Sequence, residues 1–157
     1  MTTNINDPIV FMGRYIAQLE ARSDELEGKE NDARKASNAP GETYFENARL
    51  DVHNRICALR DSLSCFEARS LTAALIQLGR AHGLLDDVAE DDKTIALAAR
   101  AQMERLIMSA IRCIERELGT GLDEMGLTAF RVSHLDPWTP VEERLAAIKA
   151  KCESKAV

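Results

Sequence analysis

The chain has 157 residues, of which 45% are hydrophobic and 29% are charged. This mixture is ordinary for one globular domain with its own core, and it argues against an intrinsically disordered chain. The formal net charge is −6, which disfavours nucleic-acid binding, since a phosphate-binding surface needs a basic patch.

Aromatic residues make up only 4% of the chain, and strands favour β-branched and aromatic side chains. The sequence therefore predicts a single all-α domain: an antiparallel helical bundle of about four long helices plus a short C-terminal helix. The four cysteines form no CxxC pair, which predicts free, buried thiols. The chain shows no secretory pattern and no apolar run near the roughly 20 residues that span a bilayer, so we expect a cytoplasmic protein without membrane contact.

The first helix is predicted to begin at residue 6 or 7, with Pro8 in its first turn, where the missing N–H costs no hydrogen bond. Apolar residues then recur at helical spacing as far as Leu26. The polar stretch that follows lacks this periodicity. It predicts a frayed helix end and a mobile loop around residues 28–41.

A second helix is predicted from about Glu42 to Asp61. Its apolar seam consists of Phe45, Val52, Ile56 and Leu59. The segment Ser64-Cys65-Phe66-Glu67 matches a capping box, in which the Ser and Glu side chains each accept a backbone N–H. This motif predicts a new helix start at Ser64, and one long bent helix is the alternative.

The third helix carries the clearest pattern. Its stripe, at alternating steps of four and three residues, is Leu71, Leu75, Leu78, His82 and Leu85. Such spacing is typical of buried seam positions in a bundle, so we expect this stripe to lie in the core. The acidic stretch that follows places Asp91 or Asp92 at the N-cap of a fourth helix, which is predicted to run to Leu118 and stop at Gly119.

The fourth helix is the most apolar and is predicted to be central. Its expected core face is Ala99, Met103, Leu106, Ala110 and Ile114. An irregular segment is predicted around residues 120–138. A second capping box, Thr139-Pro140-Val141-Glu142, then predicts a last helix from Pro140 to about Ser154, which docks on the bundle or on a partner chain.

Small and apolar residues lie outside these seams: Thr72, Ile76, Gly79 and Gly83 on the third helix, and Leu97 and Met108 on the fourth. Each interior Gly costs about 1 kcal/mol relative to Ala, and close approach of another helix is the natural compensation. The surplus predicts a second interface, in a homodimer or with a protein partner. The alternatives are cover by the first and last helices, or a kink at the Gly pair. The leading functional hypothesis is a non-enzymatic, self-associating interaction or regulatory module without a cofactor.

An acidic cluster supplies an alternative function. Asp86, Asp87 and Glu90 are close enough in sequence to hold Mg²⁺ or Mn²⁺ and activate water on a phosphate ester. All-α nucleotide pyrophosphohydrolases carry paired Glu-x-x-Glu and Glu-x-x-Asp motifs. The segment Glu27-Gly28-Lys29-Glu30 resembles the first motif, and no Glu-x-x-Asp follows it. The competing interpretation is a solvated turn whose Asp residues cap the next helix.

Two histidines suggest further sites. Ala81-His82-Gly83-Leu84 resembles the phosphoacceptor segment of histidine phosphotransfer bundles, which implies phosphotransfer at His82 as a third function. That motif continues with Lys and Gly where this chain has Leu and Asp, and the heptad pattern places His82 on the buried seam. His53 and Cys57 lie one turn apart and could supply two zinc ligands, but no second close pair completes the usual four.

Overall fold

The structure is a computed structural model that describes residues 7–90, 92–121, 124–125, 138, 140–143 and 145–146. Its helices are α1 (Pro8–Lys35), α2 (Ala39–Ser62), α3 (Leu71–His82), α4 (Leu85–Val88) and α5 (Lys93–Leu118), with a 3₁₀ turn at Leu63–Cys65. The described residues contain no strand. The prediction of an all-α helical bundle with four main helices is confirmed. None of these helices holds an apolar stretch of the length that crosses a bilayer.

The chain divides into two compact units, one ending at Leu63 and the other beginning at Ser64. In the first unit, α1 packs on α2 as a helical hairpin. In the second unit, α3 and α4 both pack on α5.

The start of α1 is set by local capping, as predicted. The Asp7 carboxylate accepts the backbone N–H of Ile9 at 3.0 Å, and Pro8 occupies the first turn. The buried apolar side chains of this hairpin are Ile9, Val10, Met12, Ile16, Leu19, Leu26, Ala33, Ile56 and Leu63. The regular helical spacing of those on α1 explains why its beginning and its core face could be read from the sequence.

The prediction of a mobile loop around residues 28–41 is wrong, because a turn of only three residues, 36–38, joins α1 to α2. Glu30, the second Glu of the Glu-x-x-Glu segment, is buried. Its carboxylate accepts hydrogen bonds from Arg34 at 2.8 Å and from Arg49 of α2 at 3.0 Å. A buried carboxylate is costly unless it is paired. The two guanidinium groups therefore hold a polar stretch in helical form although it lacks apolar periodicity.

The predicted helix start at Ser64 is also wrong. The Ser64 hydroxyl accepts a hydrogen bond from Arg105 of α5 at 3.3 Å, and the Glu67 carboxylate pairs with Arg112 of α5 at 3.2 Å. Both side chains of the supposed capping box are thus engaged with another helix. The actual N-cap of α3 is Ser70, whose Oγ accepts a backbone N–H within the first turn.

Both ends of α5 lie where the sequence placed them. Asp92 caps the N-terminus by accepting the backbone N–H of Thr94 at 2.8 Å, and Gly119 ends the helix in the left-handed conformation, with φ of 68°. The buried residues of α5 are Ala99, Gln102, Leu106, Ser109, Ala110 and Cys113. Met103 and Ile114 of the predicted core face are half-buried. The buried face therefore includes polar positions that the apolar pattern did not mark.

Residues 141–143 and 145–146 are helical. The remainder of the predicted last helix, from Pro140 to about Ser154, lies outside the described residues. So does most of the irregular segment predicted around residues 120–138.

Candidate functional site

The third helix packs on α5 through small residues rather than through its leucines. The buried residues of α3 are Ala73, Ala74, Gln77 and Ala81. The leucines face the other way: Leu71 is 46% exposed, Leu75 is 70% exposed and Leu78 is 37% exposed. His82 and Leu85 are exposed as well. The prediction that this stripe lies in the core is therefore wrong.

Three hydrogen bonds help to fix which side of α3 is buried. The backbone N–H of Ala68 donates to Ser109 Oγ of α5 at 2.7 Å, and the Ala68 carbonyl accepts from Arg116 at 2.8 Å. Gln77, inside α3, donates to the carbonyl of Phe66 at 2.7 Å. The segment that leads into α3 is thus fixed to α5, and Gln77 must face inward. The leucines, on the other side of the helix, then face away from α5.

The exposed residues of α3 and its C-cap form one continuous surface, which we name the leucine face: Leu71, Thr72, Leu75, Leu78, Gly79, His82 and Gly83. It contains no Asp, Glu, Lys or Arg, although 29% of the whole chain is charged. A surface of several large apolar side chains without a charge is unusual on a protein that works as a monomer. The leucine face is therefore the strongest candidate for a binding surface.

The small residues that the sequence singled out lie on or beside this face. Thr72, Gly79 and Gly83 are exposed, and Ile76 is half-buried. A Cβ added at Gly79 would meet no atom within 4 Å, and one at Gly83 would meet only backbone carbonyls of α3 itself. Among the described residues, no second helix makes the close approach that was expected. A helix that packs closely on these glycines must belong to another molecule or to residues outside the described ranges.

The two α5 residues of the predicted interface stand apart from the leucine face. Leu97 is 67% exposed and Met108 is half-buried. Helical spacing places both on the side of α5 away from its buried residues, whereas α3 packs against that buried side. The structure therefore does not bring Leu97 and Met108 together with the leucine face.

The acidic cluster does not form a metal centre in the part of the chain that is described. Asp86 and Glu90 are exposed, and the half-buried Asp87 lines a cavity of about 370 Å³ that it shares with Arg80 and Arg105. Two guanidinium groups in the same cavity disfavour a cation there. Across the described residues, no group of three or more His, Cys, Asp or Glu side chains is placed to hold a metal ion.

Of the two candidate histidines, His82 occupies a different setting from the one predicted, and His53 occupies the predicted one. His82 is exposed at the C-terminal end of α3, so the prediction that it is buried is wrong. The sequence still differs from the phosphotransfer motif, with Leu85 and Asp86 where that motif has Lys and Gly. On α2, Cys57 Sγ lies 3.4 Å from His53 Nε2, as the one-turn spacing implies. No third ligand joins this pair among the residues described.

Comparison with known proteins assigns neither a family nor a function. No family model matches the chain, and no curated protein or solved structure matches it. The geometry of the leucine face is consequently the main basis for a functional interpretation.

Proposed function

We propose that this protein is a non-enzymatic, self-associating interaction module, and that two copies bind each other through the leucine face of α3. The observation that supports the proposal is the exposure of Leu71, Leu75 and Leu78 on a single face without charge. Apolar surface in water is unfavourable in proportion to its area. Burying the leucine face against a partner is therefore the contact on the exposed side of α3 that contributes the most favourable free energy.

The spacing of the face favours another helix as its cover. Leu71, Leu75, Leu78 and His82 follow steps of four, three and four residues, the repeat by which side chains of one helix fit between those of a second. Gly79 lies between Leu75 and His82 along the same surface, and the space above it is open. Without a Cβ there, the backbone of a partner helix can come close.

The balance of free energies allows at most a weak dimer. The exposed fractions of the three leucines add up to about one and a half fully exposed leucines per copy. Burying this surface in both copies therefore contributes about 5–9 kcal/mol. Association itself costs about 4–15 kcal/mol in lost rigid-body freedom. The α3 contact is also short, because twelve residues at 1.5 Å each span about 18 Å. We therefore expect a concentration-dependent equilibrium rather than a permanent dimer.

Light scattering over a wide concentration range tests this proposal. The wild-type mass should rise from monomer toward dimer with concentration, and Leu75→Glu should abolish the rise because it would place a carboxylate from each copy in an apolar contact. Leu50→Glu is the matched control, since Leu50 on α2 is also more than half exposed and lies outside the leucine face. Circular dichroism should show both variants folded. A wild-type chain that stays monomeric throughout would contradict the proposal.

A further inference from the structure

We infer that the two copies pair with their α3 helices antiparallel, about a two-fold axis that passes the middle of the leucine face; this inference rests on the self-association proposed above. The occupant of the face is thus a second copy of the same helix running in the opposite direction. In this arrangement Leu75 lies against Leu78 of the partner subunit, and Leu71 lies against His82 of the partner subunit.

The spacing of the face is compatible with this arrangement. The steps from Leu71 to His82 are four, three and four residues, and this series is the same in both directions along the helix. A stripe with that symmetry matches its own reversed copy, so a two-fold axis between Leu75 and Leu78 brings every member opposite another member. Leu85 has no counterpart in this register, because it lies beyond the end of α3.

Charge near the two ends of α3 distinguishes the antiparallel from the parallel orientation. Arg69 lies two residues before α3, Asp86 lies in α4 four residues after α3 ends, and both are exposed. Neither makes an ion pair with the described residues. In this register Arg69 lies opposite residue 84 of the partner subunit, two positions from the partner's Asp86. The Glu67 that lies opposite the partner's Asp86 is already paired with Arg112. Parallel pairing would place Arg69 near Arg69 of the partner subunit, and the two acidic ends together, which is unfavourable. The charges therefore favour the antiparallel orientation.

Photo-crosslinking with isotope labelling reads the orientation directly. The photoreactive p-benzoylphenylalanine replaces Leu71 in a full-length chain of natural isotopic composition, which is mixed with wild-type chain labelled with nitrogen-15. After irradiation and trypsin digestion, some crosslinked products join an unlabelled peptide to a nitrogen-15-labelled one. These light–heavy products can arise only from a contact between two copies. Cleavage after Arg69, Arg80 and Lys93 separates Leu71 and His82 into different peptides, 70–80 and 81–93. The same amino acid placed at Leu50 is the control and should give no light–heavy product.

Antiparallel pairing predicts that most light–heavy product joins residue 71 to peptide 81–93. Product joined mainly to peptide 70–80 would overturn the orientation and leave self-association standing. If light scattering shows dimer but residue 71 gives no light–heavy product, the register is wrong. If the wild-type chain is monomeric by light scattering at the concentration used, the proposed function itself fails, and the inference fails with it.

Discussion

Ser109 of α5 accepts a hydrogen bond of 2.7 Å from the backbone N–H of Ala68, and both residues are fully buried. This contact lies just before α3 and helps to fix which side of that helix packs inward. The contact thus helps to hold the small-residue side of α3 against α5, which leaves the leucine face exposed.

Ser109→Ala should lower the free energy of unfolding by about 1–3 kcal/mol, because it leaves the buried N–H of Ala68 without its acceptor. Urea unfolding should show a lower midpoint at an unchanged slope. Ser62→Ala is the control. The Ser62 hydroxyl bonds only to a carbonyl of its own helix, and that bond is exposed, so its loss should change stability by less than about 0.5 kcal/mol. Equal effects of the two substitutions would contradict the role given to Ser109.

Gly79→Ala should raise the free energy of unfolding of the monomer by about 0.5–1 kcal/mol, since Ala is the better helix former and the space is open. Gly28→Ala in α1 should do the same, because nothing lies within 4 Å of its Cβ position either. Thermal unfolding at low protein concentration measures both changes.

Leucine substitutions at the same two glycines should separate folding from association. Gly79→Leu adds bulk to the leucine face and should weaken the dimer, whereas Gly28→Leu should leave the dimer unchanged. Sedimentation equilibrium gives the two dissociation constants. A dimer that tolerates Leu at residue 79 as well as at residue 28 would show that the partner helix does not approach Gly79.

Reversing the charges near the ends of α3 should show whether the two α3 helices pair antiparallel in solution. Arg69→Glu should weaken the dimer by about 2- to 30-fold, because symmetry repeats each surface pair and one such pair contributes about 0.2–1 kcal/mol. The double variant Arg69→Glu/Asp86→Arg should regain most of that loss. Added salt should diminish both effects. A double variant no stronger than the single one would count against the antiparallel pair.

The Glu25 carboxylate should make the stability of the hairpin depend on pH under acidic conditions. Hydrogen bonds from Lys29 and then Arg22 lower the pKa of Glu25 from 4.5 to about 2. A lowered pKa stabilises the folded state above the unfolded pKa, and the contribution disappears as the pH falls from 4.5 to about 2. The difference in melting temperature between wild type and Glu25→Gln should therefore shrink across that range. The effect should be small because all three side chains are exposed. A difference that stays constant from neutral pH to pH 2 would show that the carboxylate is not responsible.

Helix ends were the most predictable part of the fold. Asp7, Asp92 and Gly119 act through backbone groups only a few residues away, so their chemistry is readable from neighbouring residues. The turn between α1 and α2 was not readable in this way. It depends on an ion pair between Glu30 and Arg49, which lie nineteen residues apart on different helices.

The orientation of α3 could not be predicted because both of its sides are apolar. One side carries leucines, and the other carries Ala73, Ala74 and Ala81. The leucine spacing correctly marked a helix with a coherent stripe, but spacing alone does not say which stripe is buried. The alanine side is buried because the segment before α3 is hydrogen-bonded to Ser109 and Arg116 of α5. No local sequence pattern predicts those contacts.

Methyl NMR of leucine-labelled protein on dilution tests the central claim most directly, since it reports self-association and its location together. Between millimolar and micromolar concentration, the methyl resonances of Leu71, Leu75 and Leu78 should shift, while those of the exposed Leu50 and the buried Leu106 should stay constant. Constant resonances at all five leucines, or shifts confined to residues outside the leucine face, would contradict the account.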